Sequence, residues 1–242
     1  MEKEIVNVLC MKWGTKYPAD YVNKLYSMVA RNMSRPFRFI CLTEDGVGTY
    51  ENVEVFPLPE LSVDLAGPER GWNKLAVFAE TLYDLKGKVL CLDLDLIITG
   101  SLDDLFDYPG EVMIIKDWIK KDGTGNSSVY RFEVGAHPEI LSEFEKSFQQ
   151  IKNTHRNEQE YLSAALMAKN ALVYWPDEWC RSFKRHCLKP FWFLIARETQ
   201  VPENARVIVF HGKPDPHEAI AGVSGKWYRR FKPATWITDH WR

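Results

Sequence analysis

No run in this chain approaches the ~18 consecutive apolar residues that a membrane-spanning helix requires. The opening MEKEIVNVLC is acidic and lacks the basic start and apolar stretch of a signal peptide. A cytoplasmic protein is therefore expected, with peripheral contact at the inner face of the membrane as the one membrane association left open. An excess of one charge is missing too. Lys and Arg number 31 against 33 Asp and Glu, a net charge of −2, which leaves no basic footprint for nucleic acid. The five cysteines are odd in number and scattered. Cys10, Cys41 and Cys91 fall in apolar runs, where a free thiol packs as a small hydrophobe, and this is a reduced pattern. Cys180 and Cys187, beside His186, show neither the spacing nor the second pair of a zinc site. Glycine-rich phosphate loops are also lacking: CMKWGTKYP has a single glycine, and AGVSGKW misses the P-loop spacing and its Ser/Thr. With no repeat, low-complexity tract or linker, the 242 residues read as one domain.

Aromatics are plentiful at 13%, with nine Trp, a share that suits sugar-binding platforms and core filling equally. Strand patterns at 5–13, 36–45, 53–59 and 88–98 alternate with helical patterns inside 14–33 and over 71–85. Near-continuous apolar strands of this kind are covered on both faces. The expected fold is α/β, with a mixed, mainly parallel sheet flanked by helices. Ser101 and Asp104 have the spacing of a helix-capping signal. Further strands are expected at 110–118, 123–133, 171–176 and 206–214, and helices over 137–153 and 157–170.

Within KVLCLDLDLII, Asp93 and Asp95 interrupt an apolar run. Asp is depleted in strands, and a buried carboxylate must find a cation, a donor or water. Residues alternate faces along a strand, so the two carboxylates are expected on one side and Leu92, Leu94 and Leu96 on the other. Side by side they repel unless something positive lies between them. Ligands of open α/β sheets gather at the carboxyl ends of the strands, and Mg²⁺-like ions take one or two carboxylates plus phosphate oxygens. The late stretch VIVFHGKPDP supplies possible complements. His211 could complete a mixed O/N site, Gly212 permits close backbone approach, and Lys213 suits a phosphate.

Taken together, LDLDLIITGSLDDLF and FHGKP resemble the GT-A glycosyltransferases, particularly glycosyltransferase family 8 and its small bacterial relatives. In that family the late segment is longer, with more residues between the His, the Gly and the Lys-Pro. Other stretches follow in the family's order. VNVLCMKWGTKY resembles its first strand, with the uridine loop, and GWNKLAVF resembles the segment with a basic residue near the nucleotide, here Lys74. GNSSVYRF places Asn126 and Ser127 near the donor sugar. RNEQEYLSAAL puts Glu158 and Gln159 at the family's Asp-Gln helix start. The resemblance implies a GT-A (Rossmann-like) domain over 1–242, with about 1–105 the nucleotide-binding half and about 106–242 the acceptor half. It also implies Mn²⁺ or Mg²⁺ on Asp93, Asp95 and His211, and a nucleotide-sugar donor, with UDP and retention at the anomeric carbon favoured. Transfer would be to an acceptor hydroxyl on a glycan or a lipid-linked acceptor, in cell-surface glycan synthesis. Lys213 would stabilise the leaving diphosphate.

Glu158 and Asp117 are the candidate bases, and Gln159 is a catalytic or sugar-positioning residue. Glu158 equally suits a helix N-terminus capped by Asn157. PDEWCRSFKRHCLKP, with Ser182 and Lys184, reads as a loop near the acceptor or pyrophosphate, or as a solvated loop. KWYRRFK (226–232) reads as a membrane-surface patch or the exposed side of a packed helix. Two rivals remain: a nucleotidyltransferase that makes sugar nucleotides, and a non-catalytic sugar- or nucleotide-binding module.

Overall fold

The computed structural model describes residues 5–65, 67–189, 198–224 and 231–242. The chain opens with β1 (Val6–Lys12), α1 (Ala19–Asn32), β2 (Phe37–Thr43) and β3 (Glu54–Phe56), followed by a 3₁₀ helix at Gly67–Phe78. Then come β4 (Lys88–Leu92), β5 (Leu96–Ile98), α2 (Asp103–Asp107), β6 (Val112–Lys116) and β7 (Gly125–Glu133). Helices α3 (Pro138–Lys146), α4 (Phe148–Thr154) and α5 (Glu158–Ala168) lead to β8 (Leu172–Tyr174) and β9 (Cys180–Ser182). A π-helical turn (Phe183–Cys187), β10 (Val207–Val209), α6 (Pro216–Ile220) and α7 (Trp236–His240) complete the order.

Seven strands form the central sheet in the order β3-β2-β1-β4-β7-β6-β8. β7 runs antiparallel to both neighbours, and the other pairings are parallel. Period-two alternation sorts the strand side chains between two cores. Val8 and Cys10 of β1 and Leu90 and Leu92 of β4 pack on one face with α1. Leu9, Val89 and Cys91 pack on the other with the 3₁₀ helix and α3 to α5. The expected mainly parallel α/β sheet is what the chain forms.

Several expected elements differ. The strand expected over 88–98 is two strands in two sheets. β4 belongs to the central sheet, whereas β5 joins a three-stranded sheet in the order β5-β10-β9. Asp93, Leu94 and Asp95 form the turn between them, because carboxylates that need partners end a ladder more readily than they continue it. The segment 71–85, expected as an α-helix, is 3₁₀ from Gly67 and stops at Phe78. Trp72, Leu75 and Phe78 are all buried in one cluster, and three-residue spacing aligns at three residues per turn. The helix expected over 137–153 is divided at Ser147 into α3 and α4. Ser101 and Asp104 do not form a capping box. Ser101 Oγ accepts from the Asp103 N–H at 3.2 Å, and Asp104 pairs with Arg206. Residues 180–187, read as a loop, contain β9 and the π turn.

A buried arginine ties the central sheet to the chain after the Asp pair. Arg131 of β7 donates to the carbonyls of Leu105, Phe106, Tyr108 and Gly110 at 2.7–2.9 Å. These carbonyls belong to the end of α2 and the loop beyond it, where the helix leaves acceptors without partners. Among the described residues no helix is long and apolar enough to cross a membrane.

Candidate active site

The carboxyl ends of β1, β4 and β6 lie at one edge of the central sheet, and the start of β7 returns between the last two. The Asp93 N–H donates to the Ser128 carbonyl at 2.9 Å, and the Asp117 N–H donates to Thr124 at 3.1 Å. A cleft of about 280 Å³ opens here, lined by Met11, Trp13, Lys16, Tyr17, Gly71, Lys74, Asp93, Leu94, Asp95 and Glu158. The turn sends both carboxylates into it, each with its own partner. Lys74, carried over the sheet by the 3₁₀ helix, pairs with Asp93 Oδ1 at 2.6 Å. Tyr17 donates its hydroxyl to Asp95 Oδ2 at 2.6 Å.

On the far wall, Ser127 Oγ donates to Glu158 Oε1 at 3.0 Å, and the Ser127 N–H donates to Gln159 Oε1 at 3.3 Å. Asn157 caps α5 by accepting from the Glu160 N–H at 3.2 Å. Glu158 thus starts α5, as expected, and also lines the cleft. Asn126 is buried, and its Oδ1 accepts from the Ser128 N–H at 3.1 Å, within β7 where its register with β6 shifts.

Burial, then the charge of Asp93, push the Asp95 carboxyl up to about 6. Burial works against the charge of Lys74, but Asp93 and Glu158 prevail and its pKa is raised. Burial and the neighbouring Asp95 push the Tyr17 hydroxyl up as well, which keeps it a donor. Two crowded carboxylates, one of them reluctant to ionise, fit a hard divalent ion that prefers oxygen ligands. They do so as a pair. Among the described residues no three His, Cys, Asp or Glu side chains converge as a metal-holding group, so the expected trio with His211 is not assembled.

His211 and Asp95 do lie at the same end of the small sheet. The antiparallel register pairs Val209 with Leu96, and the parallel register pairs Val209 with Ser182. The chain entering β5 and the chains leaving β9 and β10 therefore meet there. His211 Nε2 is 2.7 Å from Ser182 Oγ, and its ring stacks on Trp118, centroids 5.7 Å apart. Lys184 donates to the His211 carbonyl. Gly212 has φ +63, a left-handed conformation that favours glycine. Burial and then Lys184 and Arg185 hold the His211 imidazole below its usual range. Lys213 reaches Asp215 at 2.8 Å and Glu218 at 2.7 Å on the rim of α6.

Asp117 lies in a second cleft, of about 440 Å³, with Lys116, Trp118, Asp177, Arg181, Arg185 and His186. Its Oδ1 accepts from the N–H groups of Ile119 and Lys120 at 2.7 and 2.8 Å. The site residues expected from sequence thus fall into three groups: Asp93, Asp95, Lys74, Ser127, Glu158 and Gln159 at the first cleft, with Asn126 buried beside Ser127 in β7; Asp117, Lys184, His211 and Gly212 near the second; and Lys213 on the rim.

No protein-family model and no curated protein matches the chain, but solved structures share its fold. The galactosyltransferase LgtC, solved with donor and acceptor sugar analogues, aligns with a TM-score of 0.64 at 17% identity over 87% of this chain and 89% of its own. The bifunctional glycosyltransferase WbbM aligns at 0.56 and 14% identity over 88% of this chain and 46% of its own. Mouse xyloside xylosyltransferase 1 aligns at 0.53 and 13% identity over 74% and 88%. The chain has the GT-A fold.

Within this GT-A domain, sequence reasoning missed Tyr17 and Trp118 as site residues. Tyr17 carried a signal, an aromatic a few residues beyond the first strand in WGTKY. Trp118 carried none beyond its place at a strand end. The basic-aromatic patch expected at 226–232 has residues 226–230 outside the described residues, and of the rest Phe231 is buried in the core.

Proposed function

We propose that the chain is a metal-dependent glycosyltransferase that moves a sugar from a nucleoside-diphosphate sugar, with UDP the first nucleotide to test, to an acceptor hydroxyl. The observation that carries this reading is the cleft where Asp93 and Asp95 meet Lys74 at the carboxyl end of a GT-A sheet. Mn²⁺ or Mg²⁺ held by Asp93 and Asp95 would supply Lewis-acid stabilisation of the leaving diphosphate. His211 would have to give up its contact with Ser182 to become a third ligand.

In the reaction the acceptor oxygen bonds to the anomeric carbon, and the bond from that carbon to the diphosphate oxygen breaks. The electron pair leaves with the diphosphate, and the acceptor proton passes to a base. Lys74 neutralises Asp93 until the donor arrives and is then available to a phosphate oxygen. Lys213 and Lys184 extend the positive side toward the same leaving group, with less support from their contacts, and Gly212 permits close backbone approach there. Glu158, already accepting from Ser127, is the carboxylate best placed to take the proton, and Gln159 orders the Ser127 backbone beside it. Asp117 is the weaker candidate, since its Oδ1 is engaged by its own turn. Asn126 acts by shaping that wall. A glycan or lipid-linked acceptor in cell-surface glycan synthesis fits this reading, as does a cytoplasmic location. The residues before 106 would bind the nucleotide, and those after would receive the acceptor.

Calorimetric titration with UDP, first in Mn²⁺ and then in EDTA, tests it. Binding only with metal, abolished in Asp95→Ala with the fold intact by circular dichroism, is the expected result. Equal binding without metal would remove the clamp. A binding module would show UDP or sugar affinity but no donor turnover with any acceptor.

A further inference from the structure

The second cleft differs in kind from the first. Lys116, Arg181 and Arg185 line it, and among the described residues none of the three has a carboxylate at ion-pair distance. Arg181 keeps its Nε buried without any hydrogen-bond partner. A buried donor left unsatisfied is costly, and three cations gathered in one concavity repel one another unless an anion joins them. The two carboxylates in the cleft do not meet that need. Asp117 accepts from two backbone N–H groups, and Asp177 is exposed at the mouth.

The cleft also has an aromatic wall. Trp118 lines it, with His211 stacked on the ring at 5.7 Å and His186 edge-on at 6.1 Å. His186 is fixed in turn because its Nδ1 accepts from the Ser182 N–H at 2.9 Å. The three rings, fixed by these contacts, form a platform. A fixed aromatic face beside guanidinium groups suits a ring that carries an oxyanion. The ring lies against the aromatic surface, and the forked N–H groups take phosphate or carboxylate oxygens in pairs.

We propose that this cleft is an acceptor subsite selective for anionic sugars, in which Arg181, Arg185 and Lys116 hold a phosphate or carboxylate group and Trp118 supports the sugar ring. The word acceptor rests on the glycosyltransferase reading, whereas the preference for an anionic sugar stands on this cleft alone. The cleft's position supports the link. The π turn that carries Arg185 leaves β9 at the end of the small sheet where Asp95 enters β5.

The test separates the two readings because it needs neither donor nor turnover. Glucose, glucuronic acid and glucose 6-phosphate are titrated calorimetrically into the protein without nucleotide, at low and high salt, and then into Arg181→Gln/Arg185→Gln. The charged sugars are expected to bind at least tenfold more tightly than glucose. That advantage should shrink with salt and disappear in the double variant. A stronger effect of the phosphate would identify a phosphosugar acceptor, and a stronger effect of the uronic acid a carboxylate-bearing one. Equal affinity for all three, or an anion preference that survives the double variant, would overturn the proposal. So would displacement of glucose 6-phosphate by UDP with the same dependence on the two arginines, because the cleft would then belong to the donor diphosphate.

Discussion

The two clefts at the sheet edge treat charge in opposite ways. In the first, every site carboxylate already has a partner from the protein: Asp93 has Lys74, Asp95 has Tyr17, and Glu158 has Ser127. In the second, Lys116, Arg181 and Arg185 have no carboxylate partner among the described residues, and Arg181 Nε is buried without an acceptor. A cleft of the first kind is stable when empty and must exchange its internal contacts for those of a ligand. A cleft of the second kind has no ion pair to surrender, so an anion's attraction is offset only by desolvation, by the nearby Asp117 and Asp177, and by salt. The difference predicts that variants at the first cleft change both chemistry and stability, whereas variants at the second change recognition without lowering stability.

The largest effect is expected from Asp93→Ala or Asp95→Ala. Each should lower donor turnover by about 10²–10³-fold or more, the usual loss when one electrostatic stabiliser is removed, in a UDP-sugar hydrolysis assay with unchanged circular dichroism. Next is Lys74→Met, which leaves the partly buried Asp93 without its cation. Urea unfolding should show a loss of about 1–3 kcal/mol, and Lys74→Met/Asp93→Asn should recover part of it. If the single variant costs nothing, the contrast between the clefts fails on its first side.

Asp95 gives a pH signature. Its folded-state pKa is raised from 3.8 to about 6, so the folded chain binds more protons than the unfolded chain between those values. Stability without ligand should therefore fall as pH rises through that window and level off above it. Asp95→Asn should be more stable than the parent above pH 6 and equal to it below about pH 4, where both side chains are neutral, as followed by thermal unfolding across pH. The smallest effect belongs to Arg185→Ala. An exposed arginine with no ion pair should change the urea midpoint by no more than the ~0.5 kcal/mol typical of surface substitutions. A larger loss would mean that the second cleft, too, is internally paired.

What could be read from sequence was whatever local chemistry decides. Near-continuous apolar runs marked the parallel strands, and Asn157 marked the start of α5. The stretches that resemble GT-A enzymes led to the fold that the structure displays. Non-local pairing was not legible. Leu94 is buried in the core, and its apolar character hid a turn inside what looked like one strand. Nothing local said that 96–98 would leave the central sheet for β10. The contact between His211 and Ser182 is likewise made by strand register between stretches 29 residues apart, and so the expected metal trio could be written from sequence without being assembled in space. The 3₁₀ helix was misread because its spacing of three lies close to the α period.

The turn at Asp93–Leu94–Asp95 has one further consequence. The first cleft is built mainly on the central sheet, and the arginines of the second ride on the small sheet through β9. This three-residue joint is the shortest covalent link between the two sheets, and residues 175–179, between β8 and β9, form a second. Whatever clamps the two carboxylates also fixes the joint's dihedral angles, and with them the angle at which the small sheet is carried. With a donor in the first cleft and an acceptor in the second, as proposed, the spacing of the two ligands would depend on this joint. Loading the first cleft would then set the gauge of the second.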